Sequence, residues 1–178
     1  LGHSIWVTSD THFYHENIIR YCKRPFATVK EMNEVITERW NSVVQPGDKV
    51  YHLGDVAMGE GAREQLGSLL TKLHGSKRLI VGNHDDIPWL AKGGWFKKIS
   101  MWRVFTEWNL LLTHVPVHES SIHERIVVAG GVNVHGHIHS NDSPAGPYFN
   151  ACVEKTNYTP INIEDILVNC KKLRDNQN

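Results

Sequence analysis

Three short apolar runs, Ile5-Trp6-Val7, Val50-Tyr51-His52-Leu53 and Leu79-Ile80-Val81, each end on a polar, turn-forming cluster, and amphipathic stretches separate them. Short apolar runs bounded by turn residues read as buried strands. Between the first two, Thr28-Val29-Lys30-Glu31 forms a capping-box pattern, followed by Met32, Val35, Ile36, Trp40 and Val43 at helical spacing. That helix is expected to stop at the turn signal Gln45-Pro46-Gly47-Asp48. Leu66, Leu69, Leu70 and Leu73 mark a second helix before the third strand, Arg78 to Val81. Strand and helix alternating in this way predict a βαβαβ unit with a mainly parallel sheet. Ligands of such sheets gather beyond the strand C-termini.

Downstream the helical texture fades. Strand-like segments are expected around Ile99 to Phe105, Trp108 to Thr113, Ile126 to Ala129 and Val132 to Val134, which implies a second sheet packed on the first. The chain closes with Asn162 as N-cap of a helix whose apolar face is Ile163, Ile166, Leu167 and Cys170. At 178 residues this amounts to one domain, residues 1–178, of α/β class, an α+β sandwich.

Net charge is zero, so the overall electrostatics do not support nucleic acid or a membrane surface as partner; a small phosphoester or nucleotide-like substrate fits better. The three cysteines, Cys22, Cys152 and Cys170, show no paired spacing and are expected to be reduced thiols in a cytoplasmic protein. No apolar run approaches the roughly 20 residues of a spanning helix.

Twelve histidines are present, many of them beside Asp, Asn or Gly at the ends of the apolar runs. Five clusters each follow a predicted strand: Asp10-Thr11-His12, Gly54-Asp55, Gly82-Asn83-His84-Asp85, Thr113-His114 and Gly136-His137-Ile138-His139. Strand ends of one sandwich converge, so these clusters are expected to meet. Their carboxylate, imidazole and carboxamide donors, without thiolate, suit manganese, iron, zinc or nickel. Two such ions, about 3.5–4 Å apart, clamp a phosphoryl group and lower the pKa of a bridging water to make hydroxide the nucleophile. His137 and His139, one residue apart, cannot share a face on an extended backbone, and Gly136 is expected to permit the bend they need.

The ordered blocks DxH, GD, GNHD, H and GHxH, running from Asp10 to His139, resemble the calcineurin-like metallophosphoesterases, in particular their short bacterial and phage-like members. One block alone is weak evidence, whereas five in order are specific. The resemblance implies two mixed β-sheets packed face to face and flanked by helices, with a dinuclear metal site at the strand C-terminal ends. It implies that Asp10, His12 and His139 hold one divalent ion, Asn83, His114 and His137 the other, and that Asp55 bridges them. Manganese is the first expectation, with iron, zinc, nickel or magnesium as alternatives. His84 would protonate the leaving group or stabilise the transition state, and Asp85 would orient His84 from behind.

Outside the blocks, His15 and Asn17 are candidate substrate contacts, and His52 is read as a packed core histidine. His118, Glu119 and His123 fall in a polar loop, and His74 at a helix C-terminus. The tryptophans read as core residues, with only Trp102 and Trp108 having charged neighbours that suggest another role.

The chain departs from two branches of the resemblance. Protein phosphatases continue the second block as GDxVDRG, but here Gly54-Asp55-Val56-Ala57-Met58-Gly59 lacks the phosphate-gripping arginine. Purple acid phosphatases place an iron-binding tyrosine where Met58 stands. A phosphodiester, with one negative charge, needs the arginine less than a monoester does. The sequence therefore favours a phosphodiesterase over a nuclease, a phosphomonoesterase or a catalytically silent scaffold.

Overall fold

The computed structural model describes residues 3–59, 61–121 and 131–175, the last five of these as backbone. Strand β1 (Ile5–Thr8) is followed by helices α1 (Glu16–Tyr21) and α2 (Val29–Val43), then by β2 (Lys49–His52), α3 (Ala62–Lys72) and β3 (Ser76–Ile80). After α4 (Ile87–Gly93) come β4 (Lys98–Ser100), β5 (Trp102–Phe105), β6 (Leu110–Thr113), β7 (Val132–His135), β8 (Tyr148–Asn150), β9 (Ile161–Asn162) and α5 (Ile163–Asp175).

The strands form two mixed sheets flanked by helices, as expected. The first has the order β4-β3-β2-β1-β9, with β1 to β4 parallel and β9 antiparallel. The second has the order β5-β6-β7-β8, with only β5 antiparallel. Period-2 alternation sends successive residues of a strand to opposite faces. Val50 and Leu79 therefore meet Met32, Ile36, Trp40, Leu69 and Leu70 of the helices. Their neighbours Tyr51 and Ile80 pack between the sheets against Phe105, Leu110, Leu112 and Val134.

The capping box of α2 forms with one change of partner: Thr28 Oγ1 accepts from Glu31 N, while Glu31 Oε2 accepts from Ala27 N. Asn162 caps α5 by accepting from Glu164 N, and Ile163, Ile166 and Cys170 of that helix are buried.

The segment expected as one strand from Ile99 to Phe105 is two strands in different sheets. Lys98–Ser100 pairs with Arg78–Ile80, and Trp102–Phe105 pairs with Leu110–Thr113, with the chain crossing at Met101. A continuous β-prone run carries no local mark of where its pairing partner changes. The expected strand around Ile126 to Ala129 lies outside the described residues, as does His123. Helices α1 and α4 and strands β8 and β9 are too short for their periodicity to stand out. Among the described residues no helix is long and apolar enough to cross a membrane.

Candidate metal centre

Strands β1, β2 and β3 run parallel, as do β6 and β7, so the cluster after each lies at a strand C-terminus. The structure brings the clusters together in two sets whose ligand atoms lie within 4.8 Å of one another: Asp10, His12 and His139, and Asp55, His114 and His137. Asp55 sits between the sets, its Oδ2 3.5 Å from His12 Nε2 and 3.5 Å from His114 Nε2. Asn83 joins the second set, with its Oδ1 2.9 Å from His114 Nε2.

The loops that do this are strained. Asp10, His12, Asp55, His137 and His139 all have positive φ, between 48° and 71°, which non-glycine residues rarely adopt. Backbone strain of this kind persists where surrounding structure enforces it, and it clusters at functional sites. Here the enforcement comes from the loops themselves: Asp10 N donates to Gly54 O, His12 N to Asp55 O and Gly136 N to His114 O.

The bend that presents His137 and His139 is made by these two residues and not by Gly136. Gly136 is needed for a different reason. A Cβ there would collide with Ser9 Oγ and Asp10 Oδ2, so the glycine admits the Asp10 carboxylate against the backbone.

Hydrogen bonds behind Asp10 and His114 fix the outward atom of each candidate ligand. Asp10 Oδ2 accepts from Ser9 Oγ, His137 N and Cys152 Sγ, which leaves Oδ1 buried without a partner. His114 Nδ1 lies 2.7 Å from Leu53 O and must donate to it, so in a neutral ring the lone pair is on Nε2, which faces Asn83 Oδ1 and Asp55 Oδ2. His12 Nε2 is buried and unpartnered as well. Asp10 Oδ1 and His12 Nε2 thus converge as buried polar atoms without a hydrogen-bond partner, which a cation resolves. Buried polar atoms without partners are rare and costly. The donor set therefore fits divalent metal ions.

The ionisation of the site follows from the same crowding. Burial raises the pKa of Asp10, partly offset by His114 and Ser9. Burial, then the charges of Arg24 and His139, drive His12 down to about 2, which keeps its imidazole neutral. Burial would lower His139 too, but Cys22 and Glu154 outweigh it and raise the histidine to about 10 in the absence of a cation.

Two residues essential to this geometry carry no local sequence signal. Arg24 is buried and spends its guanidinium inward: NH1 donates to Thr11 O at 2.8 Å, NH2 to Asp10 O at 2.7 Å and Nε to Glu154 Oε1 at 2.9 Å. Glu154 Oε1 also accepts from His139 Nδ1 at 3.1 Å, which turns His139 Nε2 away from it. The Arg24–Glu154 pair therefore braces both the Asp10-Thr11-His12 turn and His139, the carboxylate-to-imidazole support common behind metal ligands. Cys22 joins His139 and Glu154 in a third set close enough for a cation, but Arg24 already neutralises Glu154 there.

His84 is exposed and stands at the mouth of the site, its ring centroid 5.8 Å from that of His12. Its backbone N donates to Asp55 Oδ1. Asp85 does not take the expected place behind the His84 ring. Its carboxylate accepts from the backbone N of Gly82, Asp55 and Val56, because the tight turn at Gly82 folds it back under amides that need acceptors. It ties the β2 and β3 loops together.

His15 lies with its Nδ1 3.4 Å from His12 Nδ1, so it supports a candidate ligand and also reaches the edge of the site. Asn17 is exposed and lines the same adjoining cleft as His15. His52 is a core histidine as expected: Gly54 N donates to its Nδ1, its Nε2 faces Thr11 Oγ1, and burial lowers its pKa to about 3. His74 directly follows Leu73, the C-cap of α3, and its Nδ1 bonds the O of Val44, the C-cap of α2. His118 is exposed and pairs with Ser120, and His135 is buried against Ser143 and Gly136 O.

The comparisons agree with this architecture. The sequence profile of calcineurin-like phosphoesterases matches residues 3–107. Uncharacterized protein MJ1445 of Methanocaldococcus jannaschii is 34% identical, covering 92% of this chain and 89% of that protein. The gene 66 protein of Mycobacterium phage D29 is 32% identical over 77% of this chain and 79% of its own length. Among solved structures, the protein of unknown function AQ665 from Aquifex aeolicus superposes with a TM-score of 0.76 at 28% identity, covering 93% of this chain and 98% of that one. With its Asp and His groups placed to bind divalent metal, the chain belongs to the calcineurin-like phosphoesterase family.

Proposed function

We propose that this chain is a dinuclear-metal phosphodiesterase acting on a small or nucleotide-like phosphodiester. The observation that carries the reading is the convergence of Asp and His ligand atoms on both sides of Asp55 Oδ2, with Asp10 Oδ1 and His12 Nε2 buried without partners and His84 beside them. Asp10, His12 and His139 would hold one ion, Asn83, His114 and His137 the other, and Asp55 both. Two divalent ions, manganese first among them, would supply Lewis acidity to the phosphoryl group and lower the pKa of water at the site.

The remaining work falls to the chain's own groups. The His84 imidazole stands at the mouth with no metal to hold and delivers a proton to the leaving alkoxide oxygen. The bond from its backbone N to Asp55 Oδ1 keeps that acid in register with the bridging carboxylate. Arg24, at 4% exposure, gives its donors to Asp10 O, Thr11 O, Glu154 and Met32, so it offers no fork to a dianionic monoester. That favours a singly charged diester.

The test is turnover with Mn²⁺ of bis(4-nitrophenyl) phosphate beside 4-nitrophenyl phosphate. Faster hydrolysis of the diester is expected. Monoester preference would reverse the substrate assignment, and hydrolysis of neither by folded protein with metal bound would overturn the enzyme reading.

A further inference from the structure

The outer face of the second sheet leads directly into the candidate metal centre. On β5 and β6, Trp102 is opposite Thr113 and Val104 is opposite Leu111, while Phe105, Leu110 and Leu112 point the other way into the core. These outer residues, with Met101 and Val117, line a cleft of about 690 Å³ that reaches Asn83 and His114. No Asp, Glu, Lys or Arg is among its described lining residues. Trp102 and Met101 are both 63% exposed at its rim, an unusual placement for two large apolar side chains beside a polar site. Trp108, the other tryptophan with charged neighbours, packs instead on Phe105, with ring centroids 5.1 Å apart.

A second cleft, between α2 and α3, is larger, at about 1100 Å³, but its lining includes Glu16, Glu34, Glu38, Glu64, Lys30 and Lys72. It offers neither a flat apolar wall nor a neutral surface.

We propose that the Trp102 cleft is the subsite for a flat, uncharged aromatic ester substituent of the substrate, such as a nucleobase. The inference rests on the phosphodiesterase reading and deepens it. Asn83 and His114 belong both to the centre and to the cleft wall, so an ester whose phosphorus sits at the centre has one substituent aimed along the outer face of β6. The volume lies in the ordinary range of small-molecule sites. Trp102 presents an aromatic face on which a base can stack, and Met101 supplies a polarizable contact to a ring. Among the described lining residues none is charged, which favours a neutral ring over a charged group.

Calorimetric titration of the Mn²⁺-loaded protein with adenosine 5′-monophosphate and with ribose 5-phosphate isolates the base, because both anions carry the same phosphate. The nucleotide is expected to bind about tenfold more tightly, by the usual worth of one stacked base. Trp102→Ala should remove that difference and leave ribose 5-phosphate unchanged, Trp102→Phe should restore most of it, and Met101→Ala should remove part. Equal affinities in the unsubstituted protein, or a difference that survives both alanine substitutions, would overturn the subsite. Neither result depends on hydrolysis, so failure of the enzyme reading would be seen separately in the turnover assay.

Discussion

The two halves of the candidate metal centre are built to different standards. The half formed by Asp10, His12 and His139 is the more enclosed: Asp10 is 0% and His12 2% exposed, His139 is half-buried, and the Arg24–Glu154 pair braces it. The half formed by Asn83, His114 and His137 is open, with only His114 buried and both Asn83 and His137 exposed. The first also contributes a carboxylate of its own, whereas the second has neutral donors apart from the shared Asp55. Water competes less in a closed site, and a preformed, charged ligand set lowers the cost of capturing a cation. The closed half is therefore expected to hold its ion more tightly, and the open half, next to His84 and the apolar cleft, to exchange ion and substrate. On the proposed function, rigidity falls where the metal would stay and access where the substrate would enter.

The comparison is broken most directly at the residue the halves share. Asp55→Ala should cost metal at both, read as metal per folded chain by elemental analysis, with turnover lost beyond that of any other single substitution. Retention of both ions would remove Asp55 as the bridge. His84→Ala should leave metal content unchanged while turnover drops ~10²–10⁴-fold, the range for a lost general acid. Normal turnover would take His84 out of the mechanism.

Glu154→Gln touches the closed half alone. With the carboxylate behind His139 gone, the tighter of two calorimetric metal-binding steps should weaken about 10–100-fold while the weaker step stays in place. Equal weakening of both would mean that the two halves are not separately braced.

The smallest effect is expected far from either half, at Asp48. Burial alone would raise its pKa, but Gln45 N, Trp6 Nε1 and Ser4 N all donate to the carboxylate and together lower it. Because the folded-state value is the lower one, the stability it contributes is present above the ordinary carboxylate pKa and is lost as pH falls through the lowered value. Asp48→Asn should cost about 1 kcal/mol near neutral pH by chemical denaturation, less in acid, with metal binding unchanged. Altered metal affinity would show that the closed half leans on this remote turn.

The sequence by itself determined the local grammar. Period and capping placed α2, and apolar runs ending in turn residues placed β1 to β3. The same strand-end clusters singled out Asp10, His12, Asp55, Asn83, His114, His137 and His139 as candidate ligands, and the fold gathers all of them at one edge. These features are legible because each is written in a window of a few residues. Tertiary structure alone decided that the run from Lys98 to Phe105 divides between two sheets, and that Asp85 grips backbone amides instead of the His84 ring. It alone decided that His137 and His139, not Gly136, make the bend, and that Arg24 and Glu154, 130 positions apart, brace the ligands. Partner choice at those positions depends on which buried donors and acceptors the closed sandwich leaves unmatched, and that is set only when distant segments meet away from water.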